Sequence, residues 1–185
     1  MYTKDRIRLM LSGGDRRSTG RVAEVVALIE RRPKTTSFLV GCLWDEDSRV
    51  CMRAADALEK ISRKQTSLLK PHTASLLGLL AETTQQEMKW HLAVVLPRLQ
   101  LTDSECHRVA DILQSYLADK SSIVKTFAMQ GLVDLTGQCA SLHPSVIDLI
   151  RTLTRTGTPA MRARGRKLLQ KLEHQDTCRE RIERR

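Results

Sequence analysis

One helical segment recurs four times along the chain, with 36 to 38 residues between successive copies. Each copy carries a large apolar residue at its anchor position and further apolar or small residues four, eight and eleven positions later. Because an α-helix turns every 3.6 residues, these positions share one side, and each copy presents a single apolar stripe. A stripe of this kind must be covered by a neighbour, so the repeat predicts stacked helical units. The stripes are Val50, Ala54, Leu58 and Ile61; Met88, Leu92, Leu96 and Leu99; Val124, Ala128, Leu132 and Leu135; and Met161, Gly165, Leu169 and Leu172.

A second, shorter apolar helix is predicted before each copy, and no stretch alternates as a strand would. Pro71 and Pro144 suit the first turn of two of these helices, and Thr102 or Ser104 suits the cap of a third. Pro97 is expected to kink or end the long helix in which it lies. The repeating unit is therefore a helical hairpin, and small residues four positions after the anchor allow a neighbouring helix to approach closely.

The segment "DEDSRVCMRAADALEKI", residues 45–61, resembles the HEAT-repeat (armadillo-like) family of α-solenoids, in particular its short bacterial type. The shared pattern is an Asp-rich turn followed by Val, Ala-Ala and Ala-Leu, although Cys51 replaces the usual Arg. The resemblance covers residues 34–173. It implies an all-α fold, a right-handed α-α superhelix of about four helical hairpins plus an N-terminal capping helix. It implies little about activity, since one fold serves many functions.

The predicted organisation has three parts: a flexible lead-in over residues 1–17, a repeat domain over 18–173 that begins with the capping helix, and a charged tail over 174–185. No apolar run approaches the roughly 18 residues of a membrane span, and the start of the chain does not read as a signal peptide. Five widely spaced cysteines without a Cys-x-x-Cys pair do not form a disulfide framework. We therefore expect a cytoplasmic protein without a membrane partner.

The formal net charge of +10 is concentrated at the two ends of the chain. Residues 1–34 hold nine Lys and Arg against four Asp and Glu, residues 161–185 hold the same numbers, and the middle is balanced. Basic ends attract acidic partners and accelerate their encounter without specifying them.

Candidate binding residues follow from the repeat and from this charge. One position after the anchors stand Cys51, Lys89, Lys125 and Arg162, and in-phase stacking would align the three cations in a ladder. The ladder has two readings: contact with a ligand, or pairing with the Asp-rich turns through Asp45, Asp47 and Asp119. The last copy adds a cluster of cations with nothing acidic before Glu173, and this cluster is either a binding surface or only the solvated face of a terminal repeat. The cations are Arg162, Arg164, Arg166, Lys167 and Lys171. Trp90 and His91 are expected as central contributors on the second copy, and the alternative for Trp90 is a place partly in the core. The predicted partner-binding set is Lys89, Trp90, His91, Lys125, Arg162, Arg164, Arg166 and Lys167.

No catalytic, metal or cofactor set is expected. Cys106, His107, Cys139 and His143 lack the spacing of a zinc site. The glycine-rich stretch over residues 12–21 has the wrong count for a phosphate loop and lacks its Lys and hydroxyl. An aromatic content of 3% argues against a single-strand stacking platform.

The function expected from the sequence is a non-catalytic binding scaffold or adaptor for an acidic protein partner. The alternative is a nucleic-acid-binding HEAT-like solenoid that contacts the phosphate backbone, which needs only a row of well-placed cations. A weaker alternative, a HEAT-like enzyme of the base-repair or bilin-lyase type, finds no matching residue set here. No small-molecule substrate is inferred.

Overall fold

The structure is a computed structural model that describes residues 3–15 and 18–183, with side chains described as far as residue 174. Every regular secondary-structure element in these ranges is helical, which confirms the predicted all-α fold class. The chain divides into two compact units, residues 1–100 and residues 101–185.

The first unit consists of three successive pairs of helices. The second helices of the pairs pack side by side, with α4 in contact with both α2 and α6. The first helices lie against their own partners, since α3 contacts α4 and α5 contacts α6. The helices are α1 (Lys4–Leu11), α2 (Val22–Arg31), α3 (Thr36–Gly41), α4 (Ser48–Ser62), α5 (Thr73–Glu82) and α6 (Gln86–Val95).

The second unit consists of two further pairs built in the same way. Helix α7 contacts α8, α9 contacts α10, and α8 packs against both α9 and α10. The helices are α7 (Asp103–Tyr116), α8 (Ser122–Leu135), α9 (His143–Thr156) and α10 (Pro159–Glu183).

The helix boundaries follow the predicted signals. Thr102 is the N-cap of α7 and forms a capping box in which its hydroxyl accepts from the Glu105 N–H and its own N–H donates to the Glu105 carboxylate. Pro71 lies in a 3₁₀ turn just before α5, and Pro144 lies in the first turn of α9. Helix α6 ends at Val95, and Pro97 follows in a 3₁₀ turn, because a proline nitrogen cannot donate to the helix.

The apolar stripes of the repeat form the cores of the two units. The anchors are all buried, and so are the residues four and eleven positions later. The single departure lies in α10, where Leu168 is 3% exposed and Leu169 is only half-buried. Met161, Gly165 and Leu172 of the same helix stay buried where α10 packs against α8 and α9.

Gly165 confirms the prediction that small residues allow close helix packing. A Cβ atom added at Gly165 would lie 2.1 Å from the Thr154 hydroxyl oxygen and 3.1 Å from the Thr154 Cβ. Helix α10 therefore approaches α9 at a distance that only glycine permits at this position.

At the start of the chain the structure has a helix where a flexible lead-in is predicted. Within the predicted lead-in, residues 4–11 form α1, which buries Ile7 and Leu11 and contacts α2, α3 and α4. Apolar residues at a helical spacing, Ile7, Met10 and Leu11, account for this helix. The predicted capping helix α2 thus has a partner of its own. At the other end, the α10 backbone continues as a helix from the repeat domain through the predicted tail as far as Glu183.

Candidate binding surfaces

The cation ladder is distributed over both units. Lys125 on α8 is half-buried, and Arg162 on the adjacent helix α10 is exposed. Lys89 is half-buried on α6 in the first unit. At the equivalent position of α4, the buried Cys51 thiol donates to the Asp45 carbonyl oxygen at 3.1 Å. The three-cation ladder therefore stays a prediction, with Lys125 and Arg162 on neighbouring helices of one unit.

The acidic turn before α4 is occupied by other arginines. Arg8 of α1 donates to Asp45 at 2.6 Å, and Arg49 donates to Asp47 at 2.9 Å. The side-chain hydrogen bond from Arg49 is the main cause that lowers the pKa of Asp47 to about 2. Asp45 and Asp47 are therefore both engaged with arginines that lie outside the ladder.

The first three turns of α10 carry a row of exposed cations. Arg162, Arg166 and Lys167 are exposed, and none of them forms an ion pair with another residue in the described part of the chain. Farther along, Lys171 donates to Asp134 of α8 at 2.6 Å. Lys171 is thus neutralised by a carboxylate of the neighbouring helix, unlike the cations of the row.

A recess lies where this row meets α8. Arg164 donates to the Gln130 side-chain oxygen at 2.6 Å, and Gln130 in turn donates to Asp134 at 2.7 Å. This network fixes the guanidinium of Arg164 against α8. The recess has a volume of about 250 Å³ and is lined by Thr126, Phe127, Ala163, Arg164 and Lys167.

We call this region the α8–α10 basic surface. Its members are the recess lining and the two adjacent exposed arginines. They are Thr126, Phe127, Arg162, Ala163, Arg164, Arg166 and Lys167.

Trp90 and His91 belong to a different recess in the first unit. Their ring centroids are 5.8 Å apart with an edge-on interplanar angle of 62°. Burial lowers the pKa of His91, and the nearby Asp56 and Glu59 carboxylates only partly oppose this effect. The imidazole is therefore expected to be neutral at pH 7. The recess measures about 250 Å³, and its polar rim includes the ion pair between Asp56 and Lys60.

Arg53 is a structural residue that the sequence analysis missed. Its side chain is 1% exposed and donates to four backbone carbonyl oxygens in the loop between α1 and α2. A Cβ atom at Gly20, whose φ is +55°, would lie 3.3 Å from the guanidinium. The glycine-rich stretch does not match a phosphate-binding loop, and it surrounds the Arg53 side chain instead. The donor–acceptor distances are 2.7 Å to Leu11, 2.5 Å to Gly13, 2.8 Å to Asp15 and 3.0 Å to Ser18.

Cysteine and histidine side chains meet at the start of α7 in the second unit. The Ser141 hydroxyl lies 3.1 Å from the Cys139 sulfur and 3.4 Å from a ring nitrogen of His107. Burial raises the pKa of the nearby Cys106 thiol to about 11, so this thiol is a poor nucleophile at neutral pH. In the described ranges, no group of three or more His, Cys, Asp and Glu residues is arranged to hold a metal ion.

Among the described helices, none combines the length and the apolar character needed to cross a membrane.

The fold and these surfaces define an all-α protein built from packed helical hairpins. No protein-family model matches the chain, and no curated protein matches it either. A solved structure similar to it is the crystal structure of an engineered protein, a Northeast Structural Genomics Consortium target. The two chains are 17% identical, the match covers 92% of this chain and 79% of the other, and the TM-score is 0.64. This likeness supports the helical fold.

Proposed function

We propose that the protein is a non-catalytic, HEAT-like binding scaffold of the cytoplasm whose α8–α10 basic surface binds an acidic protein partner. The observation that carries the proposal is the row of exposed cations on α10 without carboxylate partners in the described part of the chain. Elsewhere many cations are neutralised locally, as in the pairs of Arg8 with Asp45 and Lys171 with Asp134.

The charge arrangement of α10 favours a bound anion. Arg162 and Arg166 stand four positions apart, where like charges destabilise a helix by a few tenths of a kcal/mol. A carboxylate-bearing partner would remove this repulsion and gain charge-assisted hydrogen bonds. The same field would accelerate the encounter with an acidic surface.

The recess favours a protein segment over a phosphate backbone. Phe127 and Ala163 give the recess an apolar part between the cations, where it can accept an apolar side chain. A phosphate backbone needs only the cations and makes no use of this feature. The preferred ligand is therefore an acidic segment that carries an apolar residue among its carboxylates.

Nucleic acid is the second candidate, because Arg162, Arg166 and Lys167 would also suit phosphates. In that case binding depends on the number of cations, and the apolar part of the recess has no role. Salt dependence alone does not separate the two ligands, whereas a change at Phe127 does.

The test compares a fluorescent Glu-rich peptide that carries one central Leu with a random duplex DNA as probes. The intact protein is expected to bind the peptide, and a triple charge reversal on α10 should weaken binding about tenfold or more. A control variant with the same charge change on exposed residues of α7, the α7–α8 turn and α9 should bind nearly as well as the wild type. The test variant carries R162E, R166E and K167E, and the control carries R108E, K120E and R155E.

A further variant, Phe127→Gln, distinguishes the two ligands. We expect weaker binding of the peptide and unchanged binding of the DNA. If the test and control variants bind the peptide equally well, the α8–α10 basic surface is not its binding site. Tight DNA binding that Phe127→Gln leaves intact, together with no binding of the peptide, would establish the second candidate in its place.

A further inference from the structure

Ile123 on α8 is one of three exposed large apolar side chains in the part of the chain that the structure describes. Its exposed fraction is 46%. The same position of the repeat, one residue before the anchor, holds Arg49, Glu87 and Ala160 in the other copies. Stacking of the repeat therefore does not require an isoleucine at this position.

Ile123 lies on the side of α8 that carries the recess of the α8–α10 basic surface. Phe127 lines the recess four positions later, and residues four apart share one side of a helix. Gln130 and Asp134 continue this side, and both accept hydrogen bonds from side chains of α10. Ile123 and Phe127 therefore form an apolar pair, with their backbone positions about 6 Å apart along the helix axis.

The cations nearest to this pair have no carboxylate partner among the described residues. Lys167 lines the recess together with Phe127, and Arg162 and Arg166 are exposed on the same helix. None of the three forms an ion pair in the ranges that the structure describes. Arg162 and Arg166 also stand four positions apart, so they repeat at the same distance of about 6 Å. The surface thus offers an apolar row and a basic row with one common spacing.

We propose that the acidic partner segment binds as a helix, and that two of its apolar residues, four positions apart, contact Ile123 and Phe127. This inference rests on the proposed function and adds the conformation and the register of the ligand. A helix presents two adjacent rows at once, apolar side chains in one and carboxylates in the next. An extended strand turns only every second residue to a surface and presents a single row. Two rows of different chemistry therefore favour a helix, as in helix-in-groove recognition.

The test uses three labelled Glu-rich peptides of about 18 residues, or five helical turns. The first carries one central Leu, and the second carries two Leu residues four positions apart. The third has the composition of the second, but its two Leu residues are two positions apart and lie on opposite sides of a helix. The intact protein is expected to bind the second peptide about fivefold more tightly than either of the others, because only this peptide reaches both Ile123 and Phe127.

Two variants locate the second apolar contact. Ile123→Gln should remove the advantage of the second peptide and leave binding of the first peptide unchanged. Leu9→Gln, at another exposed apolar residue on α1 in the first unit, should preserve the advantage. Both side chains are exposed, so the thermal unfolding midpoint of each variant is expected to equal that of the wild type. The comparison of the second and third peptides on the wild type needs no variant.

Equal affinity for the second and third peptides, or an advantage that Ile123→Gln leaves intact, would overturn the inference. The proposed function would still stand if the first peptide binds and the variant with R162E, R166E and K167E binds it more weakly. If none of the three peptides binds, the proposed function fails, and the inference fails with it.

Discussion

At the scale of single residues, Arg53 fixes the connection between α1 and α2 against α4. Its guanidinium donates hydrogen bonds to four backbone carbonyl oxygens. Without it, these carbonyls would lack a protein hydrogen-bond donor. A buried charge is tolerated only when its hydrogen bonds are complete, and here the turns at Gly13, Gly14 and Gly20 bring the carbonyls into position.

Replacement of Arg53 by Met is expected to destabilise the protein by several kcal/mol, because four carbonyls lose a charged donor and each buried acceptor left unsatisfied costs about 1–3 kcal/mol. Arg49→Met is the matched control, since Arg49 is exposed and its ion pair with Asp47 is worth about 0–1 kcal/mol. Urea unfolding followed by circular dichroism measures the stability of both variants. A midpoint for Arg53→Met equal to that of Arg49→Met would contradict the structural role.

Arg53 also illustrates what the sequence could not reveal. It stands three positions after its anchor, as Arg164 does in the last copy, yet one is buried and the other is half-buried against Gln130. The difference lies in the partners, which for Arg53 are carbonyls 35 to 42 residues away in the preceding loop. Carbonyls belong to every residue, so no side-chain pattern marks them.

At the scale of helices, the sequence repeat predicted which residues are buried. The period alone located the buried stripes, because residues such as Leu58 and Leu132 must face a neighbour if the hairpins stack. It also contained a signal that was overlooked. Asp134 and Lys171 both stand ten positions after their anchors, and in-phase packing of α8 on α10 brings these two side chains together.

Substitution of Gly165 tests the helix packing, because the sign of the expected change in stability follows from the structure. Gly165→Ala gains about 1 kcal/mol of helix propensity, but its Cβ collides with Thr154, and such overpacking costs about 1–3 kcal/mol. We expect net destabilisation, partly relieved in combination with Thr154→Ala. Gly78→Ala on α5 is the control, because a Cβ there meets nothing within 4 Å, and it should raise the thermal midpoint.

The cluster around Glu59 joins α4 to the turn after α6 and predicts a pH dependence. Glu59 is 7% exposed and accepts from Arg63 and Arg98, each at 2.8 Å. Burial alone would raise the pKa of Glu59, but the hydrogen bonds from Arg63 and Arg98 outweigh it and the pKa is lowered. A lowered folded-state pKa stabilises the fold above the unfolded value of about 4.3, and this contribution is lost as the pH falls through the folded value.

Comparison of the wild type with Glu59→Gln tests this dependence. The wild type should be more stable at pH 7, and the difference in the free energy of unfolding should shrink as the pH falls below about 4. Urea unfolding at several pH values measures this difference. A difference that stays constant, or grows, between pH 7 and pH 3 would contradict an ionised, hydrogen-bonded Glu59.

At the scale of the whole molecule, the structure distinguishes neutralised from exposed cations among the described residues at the two ends of the chain. The sequence located the excess in residues 1–34 and 161–185 but could not say which cations were neutralised. The structure pairs Arg8 and Lys171 with carboxylates and leaves the row on α10 exposed. The residues of each of these ion pairs are 37 positions apart in the sequence. Such pairs form only when the helices pack, so the sequence alone did not reveal which cations are neutralised.

The most direct test of the central claim is a nuclear magnetic resonance titration of the isotope-labelled full-length protein with the Glu-rich peptide. The account predicts that the backbone amide signals of Phe127 and of residues 162–167 shift in a saturable, salt-sensitive manner. Saturable shifts confined to other parts of the chain, or no shifts at low salt, would contradict it.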